Sequence, residues 1–136
     1  MGDDGRAAAR AARGKAADAR GRWAERLCLA RLVATGWRIV GRRVTVGRGS
    51  GAGEIDIVAR RGRTLSFIEV KARAEERDAL AAVGADQRAR LVRAAEAFIA
   101  RHPALAGLDI RFDVMTVGGA RGGLAWPRHH ADAWRP

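Results

Sequence analysis

A chain of 136 residues, 48% hydrophobic and 30% charged, is the size of one domain with a real core, which excludes a wholly disordered polypeptide and a multidomain machine. Twenty-six Lys and Arg against 15 Asp and Glu leave a net charge of +11, enough to attract polyanions at long range and to make nucleic acid the first partner to test. One cysteine, Cys28, excludes a disulfide framework and a cysteine-based zinc cluster, and no apolar run reaches the roughly 18 residues of a membrane span, so a cytoplasmic protein with no membrane partner is expected.

Residues 1–20 are almost wholly Ala, Arg, Gly and Asp, with no large apolar side chain after Met1. Without burial to offset ordering entropy they read as a disordered tail with at most transient helix, leaving 21–136 as a single folded domain. Their charge is only +2, so the basic character belongs mainly to that domain. From Trp23 to Thr35 the spacing of Trp23, Leu27, Ala30 and Ala34 predicts a helix, stopped by Gly36. Trp37 to Val46, rich in β-branched and aromatic residues, predicts a strand, followed by the glycine-rich loop Gly47–Gly53. Glu54–Arg60 and Thr64–Ala72 predict two strands around the turn Gly62-Arg63. A second helix is expected from its N-cap Asp86 to Arg101, with Leu91, Ala94, Ala95 and Phe98 on one face. Ile110–Val117 is a fourth strand, and the segment with Trp126 and Trp134 is placed as an edge strand or a cover for the core. The order is α-β-β-β-α-β, an α/β fold with a mixed central sheet flanked by helices.

The turn fixes the geometry of the central hairpin. A two-residue loop with Gly62 at positive φ sets Arg61 opposite Thr64, and counting back pairs Val58 with Phe67, Asp56 with Glu69 and Glu54 with Lys71 on one face. Ile55, Ile57 and Ala59 fall on the other. Two carboxylates directly opposed across strands ordinarily destabilise a sheet, and a hard divalent cation, Mg²⁺ or Mn²⁺, is the natural compensation. Lys71 on the same face would orient a water and stabilise charge on a phosphorus-centred transition state. The bland alternative is a surface salt-bridge cluster, which leaves three acids, Glu54, Asp56 and Glu69, sharing one lysine.

The string GEID (Gly53–Asp56), thirteen positions from Asp56 to Glu69, and EVK (Glu69–Lys71) resemble the active-site signature of the PD-(D/E)XK, or restriction-endonuclease-like, superfamily. Together with Ala24-Glu25, GEIDIVA, FIEVKAR and FDVMTV, they resemble the YraN-like family of small bacterial proteins, from about Trp23 to Trp134. The resemblance implies a restriction-endonuclease-like fold, Asp56 and Glu69 as metal ligands, Lys71 as the catalytic lysine and Glu25 as a helical acid near the metal. Gln87 stands where the family often has a lysine at the start of the second helix, and would contact phosphate without a positive charge. Ile55 stands where the superfamily signature has proline. Arg48 in the glycine-rich loop and Arg73 after the third strand are further candidates for phosphate contact.

These readings converge on a metal-dependent endonuclease that cleaves nucleic acid phosphodiesters, DNA rather than RNA, in branched, flapped or nicked structures. A homodimer is the usual way for a small nuclease of this fold to cut two strands. The competing classes are a non-catalytic nucleic-acid-binding module of the same fold and an assembly factor acting through protein partners. Among the remaining residues, His129-His130 is poorly spaced for one metal, and Cys28 and Asp113, flanked by apolar residues, read as structural.

Overall fold

A computed structural model describes residues 2–45, 53–72, 83–118 and 126–136. Arg48 and Arg73 lie outside the described residues. Among the described residues the elements are α1 (Gly2–Ala34), β1 (Arg38–Thr45), β2 (Glu54–Arg61), β3 (Thr64–Lys71), α2 (Ala85–Arg101), β4 (Asp109–Thr116) and β5 (Arg128–Trp134), with a 3-10 turn at Pro103–Leu105. The sheet order is β1-β2-β3-β4-β5, antiparallel throughout except for the parallel β3–β4 pair that α2 connects. This is the restriction-endonuclease-like α/β architecture expected from the sequence, and β5 is the edge strand that the tryptophan-bearing segment suggested. No helix among the described residues is long and apolar enough to cross a membrane.

The helix α1 starts at Gly2 rather than near Trp23. Ala leads the helix-propensity scale and Arg follows closely, so the segment expected to be a disordered tail continues the helix without needing a buried face. The buried stripe is not the set of residues whose spacing marked the helix. Ala24, Cys28 and Leu32, four residues apart, are inaccessible to solvent, whereas Trp23 is 55% exposed. The end of α1 is as predicted: Gly36 takes φ +89°, with its N–H on the Val33 carbonyl and the Trp37 N–H on the Leu32 carbonyl. That pair of bonds is a Schellman cap, which only a residue at ease with positive φ completes without strain.

The hairpin register is the predicted one. Arg61 pairs with Thr64, Arg60 with Leu65, Val58 with Phe67 and Ile57 with Ile68. Gly62 has φ +59° and Arg63 lacks a positive φ, the II′ pattern with glycine first. Helix α2 is capped by Gly84 rather than Asp86, which sits in the first turn, where its charge complements the helix dipole without a capping bond.

Two cores sandwich the sheet. On one side Leu91, Ala94, Ala95 and Phe98 of α2 pack on Val58, Leu65, Phe67, Phe112 and Val114. On the other, Ala24, Cys28 and Leu32 of α1 pack on Trp37, Ile57, Ala59, Ile68 and Met115. Asp113, whose side chain is fully buried on β4, ties down the β5 edge. It accepts from Arg111 through two 2.8 Å bonds, from His129 Nε2 at 2.6 Å and from the Asp132 N–H at 2.8 Å. Burial opposes its ionisation, but His129, Arg111 and the Asp132 N–H hold the carboxyl well below the usual carboxylate range. His130 turns instead to Thr116 Oγ1 at 3.0 Å, so the adjacent histidines serve different partners.

Candidate active site

The local geometry begins with a break in alternation. Val44 pairs with Ile55 and Arg42 with Ile57, which leaves Arg43 opposite Asp56. Arg43 has φ +47°, an uncommon conformation for a residue with a side chain. Around it the faces slip by one on both strands. Val44 and Ile55 join the α2-side core, whereas Ile57 joins the α1-side core. Strict alternation had placed Ile55 with Ile57, and had placed Asp56 on the face of Val58. With the slip, Arg42 and Arg43, neighbours in sequence, both reach Glu25 on α1, and Asp56 opens toward α1 as well.

The same break opens the hairpin end. The β2–β3 ladder stops at Ile57–Ile68, so the expected cross-strand pairs Asp56–Glu69 and Glu54–Lys71 do not form as ladder pairs. Asp56 Oδ2 instead accepts the Val70 N–H at 2.8 Å, taking the place of a backbone carbonyl. Glu69 Oε1 receives the Lys71 ammonium at 3.3 Å and the Gln87 side-chain amide from the first turn of α2 at 3.0 Å. The two acids therefore stand at the mouth between parting strands, Asp56 oriented from β3 backbone and Glu69 from α2.

A cavity of about 480 Å³ opens beside Asp56, lined among others by Glu25, Arg43, Glu54 and Val70. Burial and, next, the negative charge of Glu69 push the Asp56 carboxyl up to about 7, against the lowering effect of the Val70 N–H. A carboxylate pair that resists double ionisation at neutral pH has the electrostatics that a divalent cation relieves. Their oxygens are the hard donors Mg²⁺ prefers. No group of three or more His, Cys, Asp and Glu side chains among the described residues closes a metal cage by itself. Asp56 and Glu69 supply two carboxylate donors, and any further positions on an ion would have to be filled by water or phosphate.

Of the residues read from the sequence, Asp56, Glu69, Lys71 and Gln87 come together here, and Glu25 lines the same cavity. Glu25, almost wholly buried, is held by Arg42 Nη2 at 3.3 Å and Arg43 Nε at 2.9 Å, so its charge is already answered by protein. Those two arginines are part of the site that sequence reasoning missed. Their only signal was a pair of basic residues in a strand otherwise rich in β-branched side chains.

The model of the uncharacterised protein family UPF0102, the YraN family, matches residues 24–117. A UPF0102 protein of Maricaulis maris is 48% identical over 120 residues, covering 88% of each chain. One from Paramagnetospirillum magneticum is 46% identical over 121 residues, covering 89% of this chain and 91% of the relative. A third, from Parvibaculum lavamentivorans, is 47% identical over 125 residues, covering 92% and 88%.

Proposed function

The chain belongs to the UPF0102 family, whose matched region includes Asp56, Glu69 and Lys71, and we propose that it is a metal-dependent endonuclease hydrolysing nucleic acid phosphodiester bonds. The observation that carries this reading is the carboxylate pair at the open end of the hairpin, with Asp56 pushed up to about 7 and Lys71 in contact with Glu69. A purely structural salt bridge explains Lys71 and Glu69. It does not explain why a second, half-buried acid is held against them in front of a cavity.

Asp56 and Glu69 would hold the ion, Mg²⁺ or Mn²⁺. When bound, such an ion neutralises phosphate charge and lowers the pKa of a bound water. The chain's own side chains do the rest. The Val70 N–H fixes the Asp56 carboxylate, and the Gln87 amide and Lys71 ammonium fix Glu69. Lys71 also offers a positive N–H donor beside the acids, suited to orient an attacking water and to stabilise the charge that grows on phosphate oxygens. With a net charge of +11, long-range attraction brings the polyanion to the surface, and DNA of branched, flapped or nicked structure is the favoured substrate.

The test is a cleavage assay with Mg²⁺ or Mn²⁺ on linear, nicked, flapped and four-way-junction DNA and on RNA, comparing wild type with Asp56→Ala and Lys71→Ala. Metal-dependent cutting that either substitution abolishes is the expected result. Binding without cutting by wild type in any metal would replace the enzyme with a nucleic-acid-binding module of the same fold.

A further inference from the structure

Beside the Asp56 cavity, Glu25 shares a basin with four arginines, two of which, Arg42 and Arg43, bond it directly. Arg22 and Arg26 from α1 and Arg42 and Arg43 from β1 line a second basin of about 260 Å³. It shares Arg22, Glu25 and Arg43 with the lining of the Asp56 cavity, so the two adjoin. One carboxylate among four arginines leaves the basin strongly positive. Arg42 and Arg43 contact Glu25 yet remain 54% and 50% exposed, and a guanidinium has five N–H donors, so each keeps donors for another acceptor.

Trp23 adjoins the basin through Arg26. The Arg26 guanidinium lies 5.9 Å from the centre of its ring, yet the side chain is 55% exposed. Packing does not account for it, because Ala24, Cys28 and Leu32 form the buried stripe of α1. A large aromatic surface left in water beside clustered guanidiniums is the pairing that single-stranded nucleic acid requires, since every unpaired base offers a π face and every nucleotide a phosphate. A duplex satisfies the arginines only; its bases are stacked on one another. An acidic peptide likewise answers the charge and leaves the indole unused.

We infer that Trp23 and the basin of Arg22, Arg26, Arg42 and Arg43 bind an unpaired strand of nucleic acid, base on indole and phosphates on guanidiniums, and lead it toward Asp56. The inference rests on the nuclease reading and deepens it: the single-stranded arm of a flap, branch or overhang is the part that the protein grips.

Binding measured in EDTA separates the two claims, because grip needs no metal. Labelled oligo(dT) and oligo(U) of about 16 nucleotides, near the upper site size of a single-strand-binding fold, are compared with a duplex of the same length by fluorescence anisotropy. The expected result is tighter binding of one or both single strands than of duplex. Trp23→Ala weakens single-strand binding by at least about 5-fold, Trp23→Phe restores most of it, and duplex affinity stays unchanged. Arg22→Ala with Arg26→Ala lowers the salt dependence of single-strand binding, by a log–log slope of about 1.4 if each contacts one phosphate. Equal or tighter binding of duplex, polyglutamate binding as tightly as oligonucleotide, or a folded Trp23→Ala protein with wild-type affinity would each overturn the inference. Cleavage that survives with Trp23 inert leaves the nuclease reading standing alone; Trp23-dependent binding without cleavage leaves only the grip.

Discussion

Replacing Asp56 by Asn tests the electrostatics of the site without its chemistry. Asn is nearly isosteric with protonated Asp, and its carbonyl can still accept the Val70 N–H. In the metal-free protein Asp56 rises from 3.8 to about 7, chiefly through burial and then through Glu69. The folded state therefore keeps a proton that the unfolded chain releases between those two values. This contribution to stability is full below pH 3.8, falls as pH rises through the window and is level above pH 7. At about 1.4 kcal/mol for each tenfold change in proton affinity the ceiling is about 4 kcal/mol, and screening by solvent at this half-buried site reduces it to about 2 kcal/mol. In EDTA at pH 8, Asp56→Asn should thus be more stable than wild type by about 2 kcal/mol, or about 6 °C in Tm for a chain of this length, and the two should converge near pH 4. Thermal melts followed by circular dichroism read the difference. Mg²⁺ at a hundredfold excess over its Kd should then stabilise wild type by about 2.7 kcal/mol at pH 8 and leave the variant unmoved. Parallel stability–pH profiles, or a variant less stable than wild type at pH 8, would refute the reasoning.

Three other outcomes follow from the geometry. Glu25→Gln should retain at least about tenfold more cleavage than Asp56→Ala, because Glu25 is already occupied by Arg42 and Arg43; equal loss in a single-turnover assay would make Glu25 part of the reacting centre. Asp113→Ala strands Arg111, His129 and the Asp132 N–H around a vacated site and should cost about 3–5 kcal/mol by urea denaturation. A loss below about 1 kcal/mol would show that β5 is held by other contacts. Burial pushes the Cys28 thiol up to about 12, so a thiol reagent at pH 8 should label the native protein only as fast as it opens, while the denatured chain reacts at once.

The hairpin was legible because glycine at a two-residue turn fixes register as far as Ile57–Ile68, which brings Asp56 and Glu69, thirteen residues apart, to the same end of the hairpin although they do not pair across it. The slip at Arg43 was not, since nothing about an arginine in a strand announces a positive φ, and it moved Ile55 and Asp56 to faces that alternation had denied them. The full length of α1 was missed for another reason. Apolar periodicity was used as the helix signal, whereas an Ala/Arg stretch favours helix by propensity. Trp23 shows the converse: large, apolar and part of the spacing that marked the helix, it lies in solvent. Gln87 on Glu69 joins residues eighteen apart across the α2 crossover, a contact that only the folded chain creates.

The parting of β2 and β3 has a mechanical corollary. Each strand is clamped on its outer side up to the end, β2 by Thr45–Glu54 and β3 by Lys71–Thr116, but the inner ladder has already ended. The two acids ride on separately braced jaws with no ladder pair between them, joined there by the Val70 N–H on the Asp56 carboxylate. If the pair holds a metal as proposed, ions of unequal radius, Mg²⁺, Mn²⁺ or Ca²⁺, would be met by a small change in the gap between the jaws while both outer braces stay intact. Discrimination among them would then fall to how each ion holds water and phosphate rather than to the span of the jaws.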